Sequence, residues 1–243
     1  MSPVDLLAFG PHPDDIEIGI GGTIARHVSL GFGVGLCDLT AGEMGSNGTP
    51  DERLVEAEAA RVVLGALWRV NLRLADRAIG RSDEDLRAAA SLVRRAQPRA
   101  VALPYWSDRH PDHVAASRML TEAVFNAGLR RYQAEGDVWK PERICYYFIN
   151  DSETPSFVID VSEHYEIKRR ALACHASQFR PAGGVATRLT SPRFRQLVES
   201  RDAHTGALAG VAFAEGLIVR DSLVLPHLIP TPAVLLPNPE GVE

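Results

Sequence analysis

Short apolar runs alternate with helical segments along most of the chain, and this alternation constrains the fold more than any other feature. The runs that have the length and composition of buried strands are residues 4–10, 33–40, 70–74, 99–104, 143–149 and 156–161. Helical patterns occupy residues 22–29, 49–64, 82–96, 114–127 and 162–174, and a further helix is capped by Ser191-Pro192. Strands that alternate with helices pair in parallel and are covered on both faces. The sequence therefore predicts an α/β fold with a Rossmann-like, mostly parallel sheet and helices on both faces.

The length and the even composition predict one domain. The chain has 243 residues, which is enough for one well-buried core, and no repeat or low-complexity linker divides it. We expect a single domain over residues 1–243, with a proline-rich tail extended over the surface from about residue 226.

Charge, cysteine content and the N-terminus limit the partners and the compartment. A net charge of −5 gives no general attraction to nucleic acid or to anionic membranes, so neither partner is expected. The three cysteines lie far apart without C-x-x-C spacing, which is typical of reduced thiols in a cytoplasmic protein. The first apolar run is too short for a signal peptide or a membrane span and has no basic segment before it.

Two histidine-containing motifs follow predicted strands. Residues 12–17 read His-Pro-Asp-Asp-Ile-Glu directly after the first strand, and residues 110–113 read His-Pro-Asp-His shortly after the fourth. In open α/β sheets, ligands bind outside the carboxyl ends of the strands where the strand order reverses, which is usually between the first and fourth strands. We therefore expect both motifs to line one crevice.

The residue types in this crevice suit a catalytic zinc ion. Two imidazoles and one carboxylate leave a coordination position open for water. Adjacent Asp14 and Asp15 cannot easily point the same way, so one should bind the metal while the other takes a proton from water. The structural alternative is that Asp14 and Glu17 form a capping box and that Asp112 caps the following helix.

These motifs closely resemble those of the zinc-dependent N-acetylglucosaminyl deacetylases. That family includes the glycosylphosphatidylinositol-pathway enzyme, mycothiol- and bacillithiol-pathway deacetylases, and chitobiose deacetylases. The resemblance continues through Gly21-Gly22, residues 38–45 and residues 175–179, and it covers most of the chain. It implies hydrolysis of the N-acetyl group of an N-acetylglucosamine conjugate.

The resemblance also implies roles for individual residues. The expected zinc ligands are His12, Asp15 and His113. These ligand types also accept other divalent metals such as Fe²⁺.

The remaining residues of the two motifs take catalytic roles in this resemblance. Asp14 is the expected general base, and His110 is expected to stabilise the oxyanion or to protonate the leaving amine. Asp112 is expected to orient His110.

The chain looks most similar to the bacillithiol-pathway branch, whose members remove acetyl from N-acetylglucosaminyl malate and are typically hexamers. We therefore expect a small-molecule substrate and a homo-oligomer, with a hexamer as one form. Arg53 and Arg109 are candidates to bind the anionic aglycone, and Glu43 is a candidate to line the mouth. An ion pair with Glu56 is the alternative for Arg53, and a plain solvated carboxylate is the alternative for Glu43.

Other functions remain open at this point. The same metal site suits a thiol-conjugate amidase, or a deacetylase of another conjugate such as the mycothiol precursor or chitobiose. A nucleotide-binding Rossmann protein is disfavoured because residues 19–22 lack G-x-G-x-x-G spacing. A non-catalytic metal- or sugar-binding module is disfavoured because Asp14 and His110 are present.

Overall fold

A computed structural model describes residues 2–180 and 183–224. The strands are β1 (Leu6–Gly10), β2 (Val34–Asp38), β3 (Trp68–Asn71), β4 (Ala100–Pro104), β5 (Arg143–Tyr147), β6 (Phe157–Asp160) and β7 (Ala214–Ile218). The α-helices are α1 (Asp15–Ser29), α2 (Pro50–Leu64), α3 (Asp83–Ala96), α4 (Pro111–Ala127), α5 (Tyr165–Cys174), α6 (Ala176–Phe179) and α7 (Pro192–Ala209). A short 3₁₀ helix, Ser162–His164, precedes α5.

The sheet has the order β3-β2-β1-β4-β5-β7-β6. The strands β1 to β5 pair in parallel, and β7 runs antiparallel to both β5 and β6. In β1, Leu6 pairs with Val34 of β2 on one side and with Ala100 of β4 on the other, so the strand order reverses at β1. The predicted fold class and the predicted position of the crevice are both confirmed.

Two apolar clusters cover the two faces of the sheet. All five residues of β1 are buried, and they alternate between the faces: Leu7 and Phe9 pack in one cluster, and Leu6 and Ala8 pack in the other. A strand that is buried on both faces needs an apolar residue at nearly every position, which explains the unbroken run seen in the sequence.

Local capping chemistry sets the ends of α2 as predicted. The Thr49 side chain accepts a hydrogen bond from the backbone N–H of Glu52, and the Glu52 side chain accepts one from the N–H of Thr49. Pro50 occupies the first turn, where no donor is needed, and Gly65 ends the helix at a φ of 77°.

The bounds of β3 and α4 differ from the prediction by two or three residues, the short helix α6 was not predicted, and two further differences bear on the site. Helix α1 begins at Asp15 rather than near residue 22, so the first motif forms its first turn. Strand β7 was not predicted, because Glu215 and Gly216 interrupt its apolar pattern. Glu215 is nevertheless buried, and its partners are described below.

The proline-rich tail expected from residue 226 lies outside the described residues. The single-domain assignment remains a prediction. Within residues 2–180 and 183–224, no helix combines the length and the apolarity needed to cross a membrane.

Candidate active site

The two histidine motifs meet at the carboxyl ends of β1 and β4. His12 follows β1, Asp15 opens α1, and His113 lies in the first turn of α4. Asp15 Oδ2 lies 3.0 Å from His12 Nδ1 and 3.3 Å from His113 Nε2. All three residues are buried. The pairing of β1 with β4 thus brings together the three residues expected to bind metal.

The donor set fits a small divalent cation. The candidate ligand atoms of His12, Asp15 and His113 all lie within 4.8 Å of one another. Tetrahedral zinc with ligand distances of about 2.0–2.1 Å would hold its ligand atoms roughly 3.3 Å apart, close to the separations seen. In a second group, His12, His110 and Asp112, the candidate ligand atoms also lie within 4.8 Å of one another. Asp112 Oδ1 in that group already accepts a hydrogen bond from Arg77, at 3.0 Å.

In both histidines, the ring nitrogen that does not face Asp15 contacts another carboxylate. His113 Nδ1 lies 3.1 Å from Asp108 Oδ1, and His12 Nε2 lies 3.3 Å from Asp76 Oδ1 and 3.4 Å from Asp112 Oδ2. Such contacts fix the orientation of a ligand imidazole and raise its basicity.

The same carboxylates favour the protonated, positively charged forms of His12 and His113. Burial alone would lower the pKa of His12, but neighbouring carboxylates, led by Asp112, raise it well above its usual value. Burial also acts to lower the pKa of His113, and Asp15 and Asp108 together outweigh it and raise this pKa to about 9. A cation that binds these nitrogens would therefore have to displace protons from them.

Asp14 is held apart from this cluster by its backbone. Its φ is 120°, a conformation that costs a non-glycine residue roughly 1–3 kcal/mol. The turn directs its carboxylate toward Arg53, with 3.6 Å between Asp14 Oδ2 and Arg53 Nη2. Burial raises the pKa of Asp14 and Arg53 opposes this, so the pKa lies at about 6. Adjacent carboxylates thus face different partners, and the Asp14 side chain makes no capping hydrogen bond.

His110 caps α4 and has one defined acceptor nitrogen. The backbone N–H of Asp112 donates to His110 Nδ1 at 3.2 Å, so the hydrogen bonding assigns the proton of the neutral ring to Nε2. Burial, together with His113, lowers the pKa of His110 and favours this neutral form.

The carboxylate of Asp112 does not have the expected partner. It accepts hydrogen bonds from Arg77 and lies against His12, and no hydrogen bond joins it to His110 among the described residues. The expectation that this carboxylate orients His110 therefore differs from the structure, where the backbone N–H of Asp112 contacts His110 instead.

A cavity of about 370 Å³ opens from these residues. Its wall includes His12, Asp14, Asp15, His110 and His113, with the side chains of Arg53, Arg77, Arg109 and Arg188 around them.

The two arginines predicted to bind substrate are placed differently. Arg109 is exposed and has no carboxylate within 4.0 Å among the described residues. Arg53 is buried and donates to the carbonyls of Gly42 and Pro13 at 3.1 and 2.9 Å. A Cβ at Gly42 would overlap the Arg53 guanidinium, so glycine is required there. The alternative ion pair of Arg53 with Glu56 does not form, since Glu56 instead binds Ser177.

Glu43 is exposed and is not one of the residues that line the cavity. Its Oε1 accepts a hydrogen bond from the backbone N–H of Asp76 at 2.7 Å, and it therefore supports the loop that carries Asp76. Gln178 lines the cavity, whereas His175 is fully buried 3.4 Å from Glu17.

Several residues at the site were not found from the sequence. They are Asp76, Arg77, Asp108, Asn150 and Arg188. All five lie in loops, where polar residues are also typical of ordinary turns. Only Asp108 carried a usable signal, because it lies two residues before the second motif.

Comparisons with known proteins agree with this geometry. A family model described as GlcNAc-PI de-N-acetylase (PIG-L) matches residues 7–124, a segment that contains both motifs. The diacetylchitobiose deacetylase of Thermococcus kodakarensis is 29% identical over 93% of this chain and 86% of its own length. The 1D-myo-inositol 2-acetamido-2-deoxy-alpha-D-glucopyranoside deacetylase of Segniliparus rotundus is 27% identical over 73% of this chain and 77% of its own.

A solved structure extends the similarity to nearly the whole fold. The conserved protein TT1542 from Thermus thermophilus is 38% identical to this chain and superposes on it with a TM-score of 0.84. The match covers 92% of this chain and 98% of the TT1542 chain. Together with the matched motifs, this shows that the chain belongs to the PIG-L (GlcNAc-PI de-N-acetylase) family.

Proposed function

We propose that this protein is a zinc-dependent deacetylase that hydrolyses the N-acetyl group of an N-acetylglucosamine conjugate. One observation carries the proposal: His12 Nδ1 and His113 Nε2 converge on one oxygen of Asp15, with Asp14 and His110 on the wall of the same cavity. A set of two imidazoles and a carboxylate is typical of catalytic zinc. Fe²⁺ is the alternative metal for these ligands.

The roles of the side chains follow from their charges. Zinc would supply Lewis-acid activation of water and of the acetyl carbonyl. Asp14, with a pKa of about 6, is mostly ionised at neutral pH and takes the proton that water gives up as its oxygen bonds to the acetyl carbon.

His110 and Asp14 complete the reaction. His110 Nε2–H donates a hydrogen bond to the carbonyl oxygen as negative charge develops there. Breaking the C–N bond then releases acetic acid, and the amine takes its proton from Asp14. Water and the amide are thereby converted into acetic acid and the amine, and transfer of the acid's remaining proton to the amine gives acetate and the ammonium form.

The substrate is proposed from the arginines around the cavity. The molecule carries a net charge of −5, so an anionic substrate must be held by local groups. Arg109, Arg77 and Arg188 supply such groups at the mouth. N-Acetylglucosaminyl malate, with two carboxylates, is the conjugate that we propose, and bacillithiol biosynthesis is its pathway. Diacetylchitobiose and the N-acetylglucosaminyl inositol mycothiol precursor, the substrates named for two relatives, are the alternatives.

The cell compartment and assembly belong to the same proposal. Cys37 and Cys145 are buried free thiols, which suits the cytoplasm. Val55, Val62 and Leu67 expose apolar side chains, which suits a homo-oligomer such as a hexamer. Light scattering during size-exclusion chromatography measures the assembly.

Activity against a panel of conjugates that share N-acetylglucosamine and differ only in the aglycone tests the function. We expect acetate release that stops when a chelator removes the metal and returns when zinc is added. N-Acetylglucosaminyl malate should be hydrolysed most efficiently. A zinc-loaded protein that releases no acetate from any conjugate contradicts the proposal. Cleavage of a cysteinyl amide without acetate release would identify a thiol-conjugate amidase.

A further inference from the structure

Helix α1 is broken just after it leaves the active site. Ile20 has a φ of −137° and a ψ of 25°, which interrupts the helix between a short segment, residues 15–19, and a longer one, residues 21–29. A break leaves backbone carbonyls at the end of the first segment, and N–H groups at the start of the second, without helical partners. Buried groups of this kind must be bonded by other parts of the protein.

Side chains from α7 and β7 bond both sides of the break. Glu215 accepts hydrogen bonds from the N–H of Gly22 at 3.0 Å and from that of Thr23 at 2.6 Å. Arg201 Nη2 donates to the carbonyl of Ile18 at 2.7 Å. A negative charge therefore bonds the free N–H groups and a positive charge bonds the free carbonyl, which are the signs that helix ends favour.

These two side chains are joined by a continuous set of ion pairs. Arg201 Nε lies 3.0 Å from Asp202, Lys168 Nζ lies 2.7 Å from Asp202, and the same Nζ lies 2.5 Å from Glu215. Lys168 is 0% exposed, and Asp202 and Glu215 are 1% exposed. The four residues, which we call the break cluster, carry two positive and two negative charges. Buried ions of this kind are stable only when they are fully paired.

The break has a direct connection with the proposed metal site. The short segment carries Asp15 as its first residue. A helix of about one turn does not hold its own shape, so its position depends on what anchors its ends. Its first residue is tied to the first motif, because the N–H of His12 donates to Asp15 Oδ2 at 2.9 Å. Near its end, the carbonyl of Ile18 accepts a hydrogen bond from Arg201.

The backbone at the break packs closely against a neighbouring segment. A Cβ at Gly22 would lie 2.8 Å from Val161, so the backbone of α1 and the 3₁₀ region before α5 are in contact at the break. The break cluster lies in the part of the chain beyond the match to the family model, which ends at residue 124. The carboxyl-terminal part of the chain therefore supplies the anchors.

We propose that Arg201 and Glu215, joined through Lys168 and Asp202, are positioning residues that set the place of Asp15 in the metal site. The inference rests on the proposed function, because it assumes that Asp15 binds metal. A purely structural cluster would lower stability when it is disrupted, but it would not change the affinity of the folded protein for metal.

Zinc affinity of the folded protein, measured by competition with a chelator, tests the inference. Arg201→Met removes the bond to Ile18 and the pair with Asp202, and we expect zinc to bind at least ~10-fold more weakly, as for other groups that support metal ligands. The matched control is Arg94→Met. Arg94, like Arg201, donates to several backbone carbonyls, and its partners Ala127, Leu129 and Ala134 lie away from the site.

Hydrogen exchange in the metal-free protein gives a second readout. Arg201→Met should increase exchange at residues 16–19, and Arg94→Met should not. If Arg201→Met does not fold, Arg201→Lys replaces it. One ammonium keeps the charge beside Asp202 but cannot also reach the carbonyls of Ile18, Phe148 and Ile149. Arg201→Lys should weaken zinc binding at least ~3-fold relative to Arg94→Lys, by the same loss of support for a metal ligand.

The outcomes separate the two proposals. Unchanged zinc affinity in the Arg201 variants, or the same loss in the Arg94 controls, overturns the positioning role and leaves the proposed function intact. A wild-type chain that binds no zinc overturns the proposed function itself.

Discussion

Replacement of Glu17 by glutamine should destabilise the fold strongly, although Glu17 lies behind the site. Its side chain is fully buried and pairs with Arg69, which also donates to both oxygens of Asp38 at 2.7 Å. Burial alone would raise the pKa of Glu17, but Arg69 and His175 outweigh it and lower the pKa from 4.5 to about 2. At ~1.36 kcal/mol per pKa unit, this difference corresponds to about 3 kcal/mol of stability at neutral pH.

Urea unfolding of the chelator-treated protein at pH 7 measures this loss. The control is Glu58→Gln, because Glu58 forms an exposed ion pair with Arg61 one helical turn away. Such a pair contributes only ~0.3–0.5 kcal/mol. A Glu17→Gln variant within about 1 kcal/mol of the control would refute the reasoning.

The pH dependence provides an independent check on the same group. Because the pKa of Glu17 is lower in the folded state, its stabilisation is present above pH 4.5 and is lost as the pH falls toward 2. Between pH 7 and pH 3, the stability difference between wild type and Glu17→Gln should narrow by about 2 kcal/mol. A difference that stays constant over this range would show that packing, not ionisation, sets the effect.

Three further predictions concern the active site. His113→Ala should lose most of its zinc by elemental analysis, whereas His164→Ala should keep it; full zinc content would exclude His113 as a ligand. Asp14→Asn should keep its zinc but lower kcat by ~10²-fold or more, and near-normal turnover would exclude Asp14 as the base. Arg109→Ala should lower kcat/KM for N-acetylglucosaminyl malate by about tenfold, and much less for free N-acetylglucosamine, since a charge-assisted hydrogen bond contributes ~1.5–3 kcal/mol. Equal losses on the two substrates would mean that Arg109 supports the site generally.

The sequence predicted the parts of the fold that depend on local pattern. Strand β1 is buried on both faces, and its apolar run identified it within two residues. The cap of α2 at Thr49 was equally local. The position of the crevice followed from topology, because a parallel sheet that reverses its strand order at β1 must place the residues after β1 and β4 side by side.

The parts that depend on distant partners could not be predicted. Strand β7 contains Glu215, a residue typical of surfaces, which is buried only because Lys168 and two backbone N–H groups bind it. Asp76 contacts His12 from a loop that is 64 residues away in the sequence, and nothing near Asp76 in the sequence indicates that contact. The break at Ile20 similarly involves groups from α7 and β7. The sequence pattern therefore predicted only the part of α1 that follows the break.

The pairing of β1 with β4 also has a consequence for the order of events during synthesis. His12 and Asp15 leave the ribosome early, but His113 follows β4, so a nascent chain that has not reached residue 113 lacks one of the three proposed ligands. Zinc at the proposed site would therefore bind with its full ligand set only after the first β-α-β units have been made. Once β4 has added beside β1, a metal at the proposed site would bind across both and stabilise their pairing, by about 2.7 kcal/mol when the free metal is 100 times its Kd. Separation of these two central strands would release the metal, so zinc loss during unfolding should report the moment when the sheet opens at its middle.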